Sequence, residues 1–95
     1  MEFSVGQVVI SKAGRDKGEI FIVYDIDGVY LYLVDGKSRP ITRPKKKKTM
    51  HIQPTKTVDT ALQKLISERQ YIKDADFKTA LKKFKERKRE DNSNG

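Results

Sequence analysis

The sequence predicts an α+β fold in which a small β-barrel over residues 1–54 is followed by a two-helix extension over residues 55–95. Short apolar runs separated by glycine turns fill the first part, and apolar residues at helical spacing fill the second. With 95 residues the chain is long enough for one small domain and an extension, but not for two cores. Four or five short strands favour a barrel, because an open sheet of this size leaves its edges unpaired.

The first three strands follow from apolar patterning. Val8–Ile10 and Ile20–Tyr24 are apolar throughout, which predicts two buried strands. The dipeptide Asp27-Gly28 predicts a type I′ hairpin, since both central residues of that turn need positive φ. The next strand, "VYLYLV", alternates, with Leu31 and Leu33 on one face and two tyrosines on the other. A second turn at Asp35-Gly36 ends it.

The last strands and the helices are set by weaker signals. "RPIT" (residues 39–42) and "MHIQP" (50–54) are candidate short strands, and Pro40 and Pro44 confine their surroundings to edges or loops. After Pro54, Thr57 can cap a first helix, and a second helix is predicted to start near Asp74. The segment "REDNSNG" is expected to be a frayed tail. The helical part holds few apolar residues, so it should pack on the barrel. The apolar residues at helical spacing are Val58, Ala61, Leu62, Leu65 and Ile66 in the first helix and Phe77, Ala80, Leu81 and Phe84 in the second.

The net charge of +8 is concentrated in one segment. Its eight basic residues lie between positions 37 and 56 without any Asp or Glu, while basic and acidic residues cancel in the rest of the chain. A positive field focused in this way attracts a polyanion, whereas the alternative is a solvated loop without a partner. The run Lys45–Lys48 is expected to be disordered in the free protein, and in a eukaryotic protein "PKKKK" would also suit nuclear localisation. The basic residues are Lys37, Arg39, Arg43, Lys45, Lys46, Lys47, Lys48 and Lys56.

A second basic element, "KAGRDKG", links the first two strands. Gly14 and Gly18 allow left-handed or closely approaching backbone. A phosphate can approach such a loop, where Lys12, Arg15 and Lys17 supply charge and exposed N–H groups supply direction. The alternative is an ordinary exposed turn.

The pattern from Gly6 to Val23 resembles the KOW motif of several large-subunit ribosomal proteins and bacterial transcription-elongation factors, with Gly18 at its hallmark glycine. A looser similarity runs to Pro54, where "YLYLVDGKSRP" resembles the eukaryotic-type ribosomal protein family L-fourteen-e and its short bacterial KOW-domain relatives. The resemblance implies an SH3-like β-barrel whose loops dock on ribosomal or other structured RNA. KOW modules also bind proteins, and residues 57–95 carry no motif of this family.

These observations predict a non-catalytic, ribosome-associated RNA-binding protein. Its expected RNA-binding residues are Lys12, Gly14, Arg15, Lys17, Gly18, Lys37, Arg39, Arg43, Lys45, Lys46, Lys47 and Lys48. The competing hypothesis is a protein-interaction module that binds a ribosomal protein or a translation or transcription factor. A third is a structural subunit that becomes ordered only within a larger particle.

The two tyrosines of the third strand and the basic stretch of the second helix each allow two interpretations. Tyr30 and Tyr32 could stack on unpaired bases, or they could form the platform on which the helices pack. We favour the platform, because the apolar faces of the helices must be buried against another surface. The basic stretch "KKFKERKRE" of the second helix could be a second RNA contact or a self-paired, solvated face.

Enzymatic and membrane functions have little support in the sequence. The single histidine, His51, has no acid or nucleophile beside it, and no P-loop or metal-binding motif is present, so we expect no cofactor, metal or small-molecule substrate. The chain has no cysteine and no apolar run near the ~18 residues of a membrane span. The start "MEFSVGQ" lacks the features of a signal peptide, and we expect a cytoplasmic protein.

Overall fold

The computed structural model describes residues 3–94, with side chains described for residues 3–88. The chain forms an α+β fold of five strands, a short 3₁₀ helix and two α-helices. In chain order these are β1 (Gln7–Ser11), β2 (Ile20–Asp27), β3 (Tyr30–Val34), β4 (Lys45–Lys48), the 3₁₀ helix (Thr49–His51), β5 (Ile52–Val58), α1 (Thr60–Ser67) and α2 (Asp74–Asn94).

The five strands form one antiparallel sheet in the order β4-β3-β2-β1-β5. The two edge strands, β4 and β5, are joined by the 3₁₀ helix alone. Four peptide steps from Lys48 to Ile52 reach at most ~14 Å, whereas the edges of a flat five-stranded sheet lie ~19 Å apart. The sheet is therefore strongly curved, but β4 and β5 do not pair within residues 3–94, so it is not closed.

Both faces of the sheet are covered, which explains why β1 and β2 are apolar at consecutive positions. On the concave face, Val9 packs with Phe21, and both are at most 1% exposed. On the opposite face, Val8 and Ile22 pack against the helices. Val23, Leu31, Leu33 and Ile52 complete the concave core.

The helices lie on the face formed by Val8, Ile22 and Val34. Phe77 of α2 is fully buried there and meets the Tyr24 ring edge-on, with centroids 6.0 Å apart. Burying an aromatic side chain of this size contributes about 1.5–3 kcal/mol. The prediction that the helices pack on the strands is therefore confirmed.

The prediction that Tyr30 and Tyr32 form the platform for these helices is wrong. Tyr30 and Tyr32 lie outside the helix-packing cluster and are only half-buried. They share a face with Val34, but lie further along β3, beside the edge strand. The helices cover the sheet centre, where apolar side chains from β1, β2 and β3 combine.

The strand region ends later than the predicted boundary at Pro54, because β5 pairs with β1 beyond that residue. Val58 pairs with Gln7, so β5 continues four residues beyond Pro54 and includes Thr57. The helix cap is consequently Asp59, not Thr57, and its carboxylate accepts a hydrogen bond from the Leu62 N–H at 3.0 Å.

The start of α2 at Asp74 agrees with the prediction, and its end does not. Asp74 and Asp76 lie in the first turn, where negative charge complements the helix dipole. The helix continues to Asn94, so most of the segment expected to fray has helical backbone. Gly95 lies outside the described residues.

The segment "RPIT" is a turn, not a strand, because backbone N–H groups in and beside it donate hydrogen bonds to the carboxylates of Asp35 and Asp74. Asp35 accepts bonds from the N–H groups of Lys37 and Arg39, at 2.8 and 2.7 Å, which closes a compact loop. The N–H of Ile41 bonds to Asp74 at 2.8 Å. In the second candidate strand, Met50 and His51 belong to the 3₁₀ helix, whereas residues 52–54 lie in β5 as predicted.

The β2–β3 hairpin is also displaced by one residue from its predicted position. Asp27 pairs with Tyr30, so the two loop residues are Gly28 and Val29. Gly28 has a φ of 60°, while Val29 is not among the residues with positive φ. This is the pattern of a type II′ turn, with glycine first, rather than the expected type I′ turn.

Candidate nucleic-acid interface

The loop between β1 and β2 is held by glycine geometry and backbone hydrogen bonds. Gly14 and Gly18 have φ values of 86° and 90°, so both adopt the left-handed conformation that the sequence predicted. The Gly18 N–H donates to the Ser11 carbonyl at 2.8 Å, and the Ser11 N–H donates to Glu19 at 3.0 Å. These bonds make the loop a continuation of the β1–β2 hairpin.

The expectation that exposed N–H groups orient a phosphate is wrong for much of this loop. The N–H groups of Lys12, Lys17, Gly18 and Glu19 all donate to backbone carbonyls. The side chains of Lys12, Arg15 and Lys17 are exposed, as predicted. Anion binding here would therefore rely on side-chain charge.

Asp16 is the acidic residue within the loop, and it is a buried anchor. Its carboxylate accepts hydrogen bonds from Ser11 Oγ at 2.7 Å and from Lys47 Nζ at 2.6 Å, and it pairs with Lys45 Nζ at 2.9 Å. Burial alone would raise the pKa of Asp16, but the hydrogen bonds from Lys47, Ser11 and Lys45 outweigh it and hold that pKa well below its usual range. Asp16 is therefore ionised and joins the loop to β4.

The lysine run forms the edge strand β4, so the expectation of disorder was wrong. Successive side chains of a strand point to opposite faces. Lys45 and Lys47 point to the Asp16 side, and Lys47 also donates to the Ala13 carbonyl at 2.6 Å. Lys46 and Lys48 are exposed on the outer face.

The outer lysines lie beside the two tyrosines of β3. Tyr32 pairs with Lys46 and Tyr30 with Lys48. Lys46 Nζ lies 4.4 Å from the centroid of the Tyr30 ring and 6.0 Å from that of Tyr32. Base stacking on Tyr30 would have to displace this cation from the ring.

The two predicted basic elements meet in one place, which we call the basic cleft. It is an open cleft of about 400 Å³. Arg15 comes from the first loop, while Arg39 and Arg43 come from the loop between β3 and β4. Lys45, Asp16, Glu19, Phe21 and Ser38 complete its lining.

The remaining predicted residues lie around the basic cleft rather than in it. Lys12 and Lys17 are exposed on the first loop and line neither described cleft. Lys37 lines a neighbouring cleft against α2, together with Gly18. Gly14 lies against the Asp16 anchor, since a Cβ atom added to Gly14 would be 3.6 Å from Lys47 Nζ and 3.7 Å from Asp16 Oδ1.

Sequence reasoning missed the role of Asp16 and the split among the four lysines. Treating "KKKK" as a strand would have separated Lys45 and Lys47 from Lys46 and Lys48 by alternation alone. Their carboxylate partner is 29 and 31 residues earlier in the chain, and no local pattern marks that distance.

No protein-family model and no curated protein matches this chain. Among residues 3–94, neither α-helix has the length and apolar character needed to cross a membrane. The functional argument therefore depends on the geometry and charge of the site itself.

Proposed function

We propose that this chain is a non-catalytic, ribosome-associated RNA-binding protein of the KOW type, which binds RNA phosphates at the basic cleft and on the outer face of β4. The observation that carries the proposal is the convergence of Arg15 with Arg39 and Arg43. These side chains come from two loops that are distant in sequence, and their charges adjoin without a matching number of carboxylates. Asp16 is already paired with Lys47.

Arginine is well suited to this role because its planar guanidinium donates two parallel hydrogen bonds to a phosphate. Lys46 and Lys48 on the outer face of β4 provide further positive charges that attract the same RNA backbone. Contacts of this kind position a nucleic acid without reading its bases, so the proposed site recognises RNA backbone and shape.

The SH3-like KOW assignment belongs to the same proposal. It is supported by the curved five-stranded sheet, by the short 3₁₀ connection between its edges and by the left-handed Gly18 at the motif's glycine position. Under this assignment the first loop and the β3–β4 loop present the RNA-binding side chains, and the protein works in the cytoplasm.

A protein-interaction module is the second candidate, favoured by one exposed apolar area. Val29 at the tip of the β2–β3 hairpin is 59% exposed, and Met50 is 67% exposed. They are neighbours, because the Thr49 N–H donates to the Val29 carbonyl at 2.8 Å. A translation or transcription factor bound there would leave the basic cleft uninvolved.

The test compares two charge-matched double variants. Arg39→Gln with Arg43→Gln removes two cations from the basic cleft, while Lys64→Gln with Lys83→Gln removes two exposed cations that line neither cleft. Binding to ribosomes and to a ribosomal RNA fragment is measured by fluorescence anisotropy across a salt series. The cleft variant should flatten the log–log salt dependence by about 1.4–1.8, at about 0.7–0.9 per lost phosphate contact.

The control variant should retain nearly the original slope. If both variants behave alike, the basic cleft is not the RNA site. If neither ribosomes nor RNA bind the unmodified protein, while substitution of Val29 abolishes capture of a translation factor, the second candidate function replaces the first.

A further inference from the structure

A second, larger cleft adjoins the basic cleft, and we call it the helix cleft. It has a volume of about 960 Å³ and lies between the first loop, the β3–β4 loop and α2. Its rim is formed by lysines, of which Lys37 comes from the β3–β4 loop and four come from α2. These four, which we call the α2 row, are Lys78, Lys82, Lys85 and Lys88.

The α2 row follows from helical geometry. Residues three or four apart in sequence lie on the same side of a helix, so Lys78, Lys82 and Lys85 form a stripe beside the buried Leu81 and Phe84. Lys83 and Arg87, which have the same spacing, are exposed and line neither described cleft. The helix therefore directs one set of cations toward the clefts and another set away from them.

The α2 row is not a self-paired surface within the described side chains. Both ion pairs between side chains of residues 3–88 end on Asp16, and neither joins Glu86 to a lysine of the row. The two clefts are also continuous, since Glu19 and Ser38 line both of them. Basic residues consequently lie on both sides of this boundary, from Arg43 in the basic cleft to Lys88 in the helix cleft, while the boundary itself holds the carboxylate of Glu19.

We propose that RNA bound at the basic cleft continues across Glu19 and Ser38 and lies along α2, with its phosphates on the α2 row. This inference rests on the proposed RNA-binding function and adds the direction and extent of the bound RNA. From Lys78 to Lys88 the helix is ~15 Å long at 1.5 Å per residue. That length corresponds to about four nucleotide steps of one strand, or about five phosphates, on the ~3.4 Å per step scale of duplex DNA.

The apolar floor of the helix cleft favours RNA over an acidic, amphipathic peptide. Leu81 and Phe84 are only 6% and 7% exposed, because their side chains already pack in the core. A peptide would need open apolar pockets for its anchor residues. RNA phosphates need only the cations of the rim.

The experiment uses two RNA hairpins with the same loop, one with a stem that spans only the basic cleft and one with a longer stem. Lys82→Gln with Lys85→Gln is compared with Lys83→Gln with Arg87→Gln on the opposite flank of the helix. For the long hairpin, the row variant should lower the log–log salt slope by about 1.4–1.8, at about 0.7–0.9 per contact. For the short hairpin it should match the control. Circular dichroism checks that both variants keep their helices.

The possible results separate this inference from the proposed function. If Arg39→Gln with Arg43→Gln weakens RNA binding, but the row and flank variants respond equally with the long hairpin, the function stands and the extension along α2 is overturned. If the unmodified protein binds neither hairpin, both proposals fail. If poly-glutamate binding depends on the row while RNA binding does not, the helix cleft is a protein site and the inference is overturned.

Discussion

Asp16 shows how one residue can organise a surface of opposite charge. Its carboxylate is buried between Ser11 and Lys47, where a charge is stable only if it is paired and hydrogen-bonded. It pairs with two lysines of β4, whose combined charge it halves, and holds the first loop against that strand. The loop that carries Arg15 is therefore fixed to the sheet by an internal acid.

Asp16→Asn is expected to lower the free energy of unfolding by about 1.5–3 kcal/mol, the contribution of hydrogen bonds to charged groups, because it leaves Lys47 without its anion. Chemical denaturation measures the loss. Asp27→Asn, at the exposed end of β2, is the matched control and should change stability by less than about 0.5 kcal/mol.

The same anchor makes stability depend on pH. The folded-state pKa of Asp16 is depressed below the ordinary value, so its stabilisation is complete above an unfolded pKa of about 4 and is lost as pH falls through the folded-state pKa. Asp35 contributes in the same direction, because bonds from Arg39, Lys37 and Ser38 outweigh its burial and lower its pKa. Denaturation as a function of pH should give a shallower acid loss for Asp16→Asn than for the unmodified protein. Equal acid profiles would contradict the anchor role.

Alanine substitutions at Gly18 and Gly36 distinguish the energetic cost of backbone strain from that of a steric collision. Gly18 has a φ of 90° and no other atom within 4 Å of its Cβ position, so Gly18→Ala should cost about 1 kcal/mol through backbone conformation alone. Gly36 also has positive φ, but its Cβ would collide with the Asp74 carbonyl at the start of α2. Gly36→Ala should therefore cost severalfold more. Thermal denaturation compares them, and equal losses would contradict this distinction.

At the scale of elements, β4 combines two functions in four residues. Its backbone pairs with β3 along one edge of the sheet, and its side chains alternate between the Asp16 anchor and the outer face. Charged edge strands also discourage pairing with other molecules. Substituting all four lysines together would mix a loss of stability with a loss of binding.

Paired substitutions separate the two functions of β4. Lys46→Gln with Lys48→Gln should flatten the salt dependence of RNA binding by about 1.4–1.8 and change stability by no more than about 1 kcal/mol, mainly through the cation–π contact. Lys45→Gln with Lys47→Gln should lower stability, because Asp16 loses both cations. Anisotropy and denaturation measure the two quantities on the same samples. If the outer pair can be lost with an unchanged slope, the outer face of β4 is not part of the RNA surface.

At the scale of the whole molecule, sheet curvature and the helices decide which surfaces remain open. The short connection from β4 to β5 curves the sheet, and its concave face is filled by its own side chains. The helices cover the opposite face at Val8, Ile22 and Val34. This arrangement leaves the outer side chains of the edge strand β4 exposed and places α2 beside the two loops, so the basic cleft and the helix cleft adjoin.

Local periodicity was sufficient to predict the α+β class, strands β1 to β3 and both helices. Positive φ at Gly14 and Gly18 was also predictable, because glycine at such loop positions reports a requirement of the local backbone. The segment that carries the net charge is a property of the sequence itself. The sequence by itself thus determined the first three strands, the left-handed glycines of the first loop and the positions of the cations.

Only the tertiary structure decided which of those cations are available. Four like charges in a row predict disorder, but a carboxylate 29 residues before Lys45 and pairing with β3 turn them into a strand. Likewise, Arg15 and Arg39 lie in one cleft because their loops emerge at neighbouring places on a curved sheet. The physical reason is that helical and strand periodicity are set by residues a few positions apart, whereas ion pairing, strand addition and the meeting of loops depend on contacts closed across long stretches of chain.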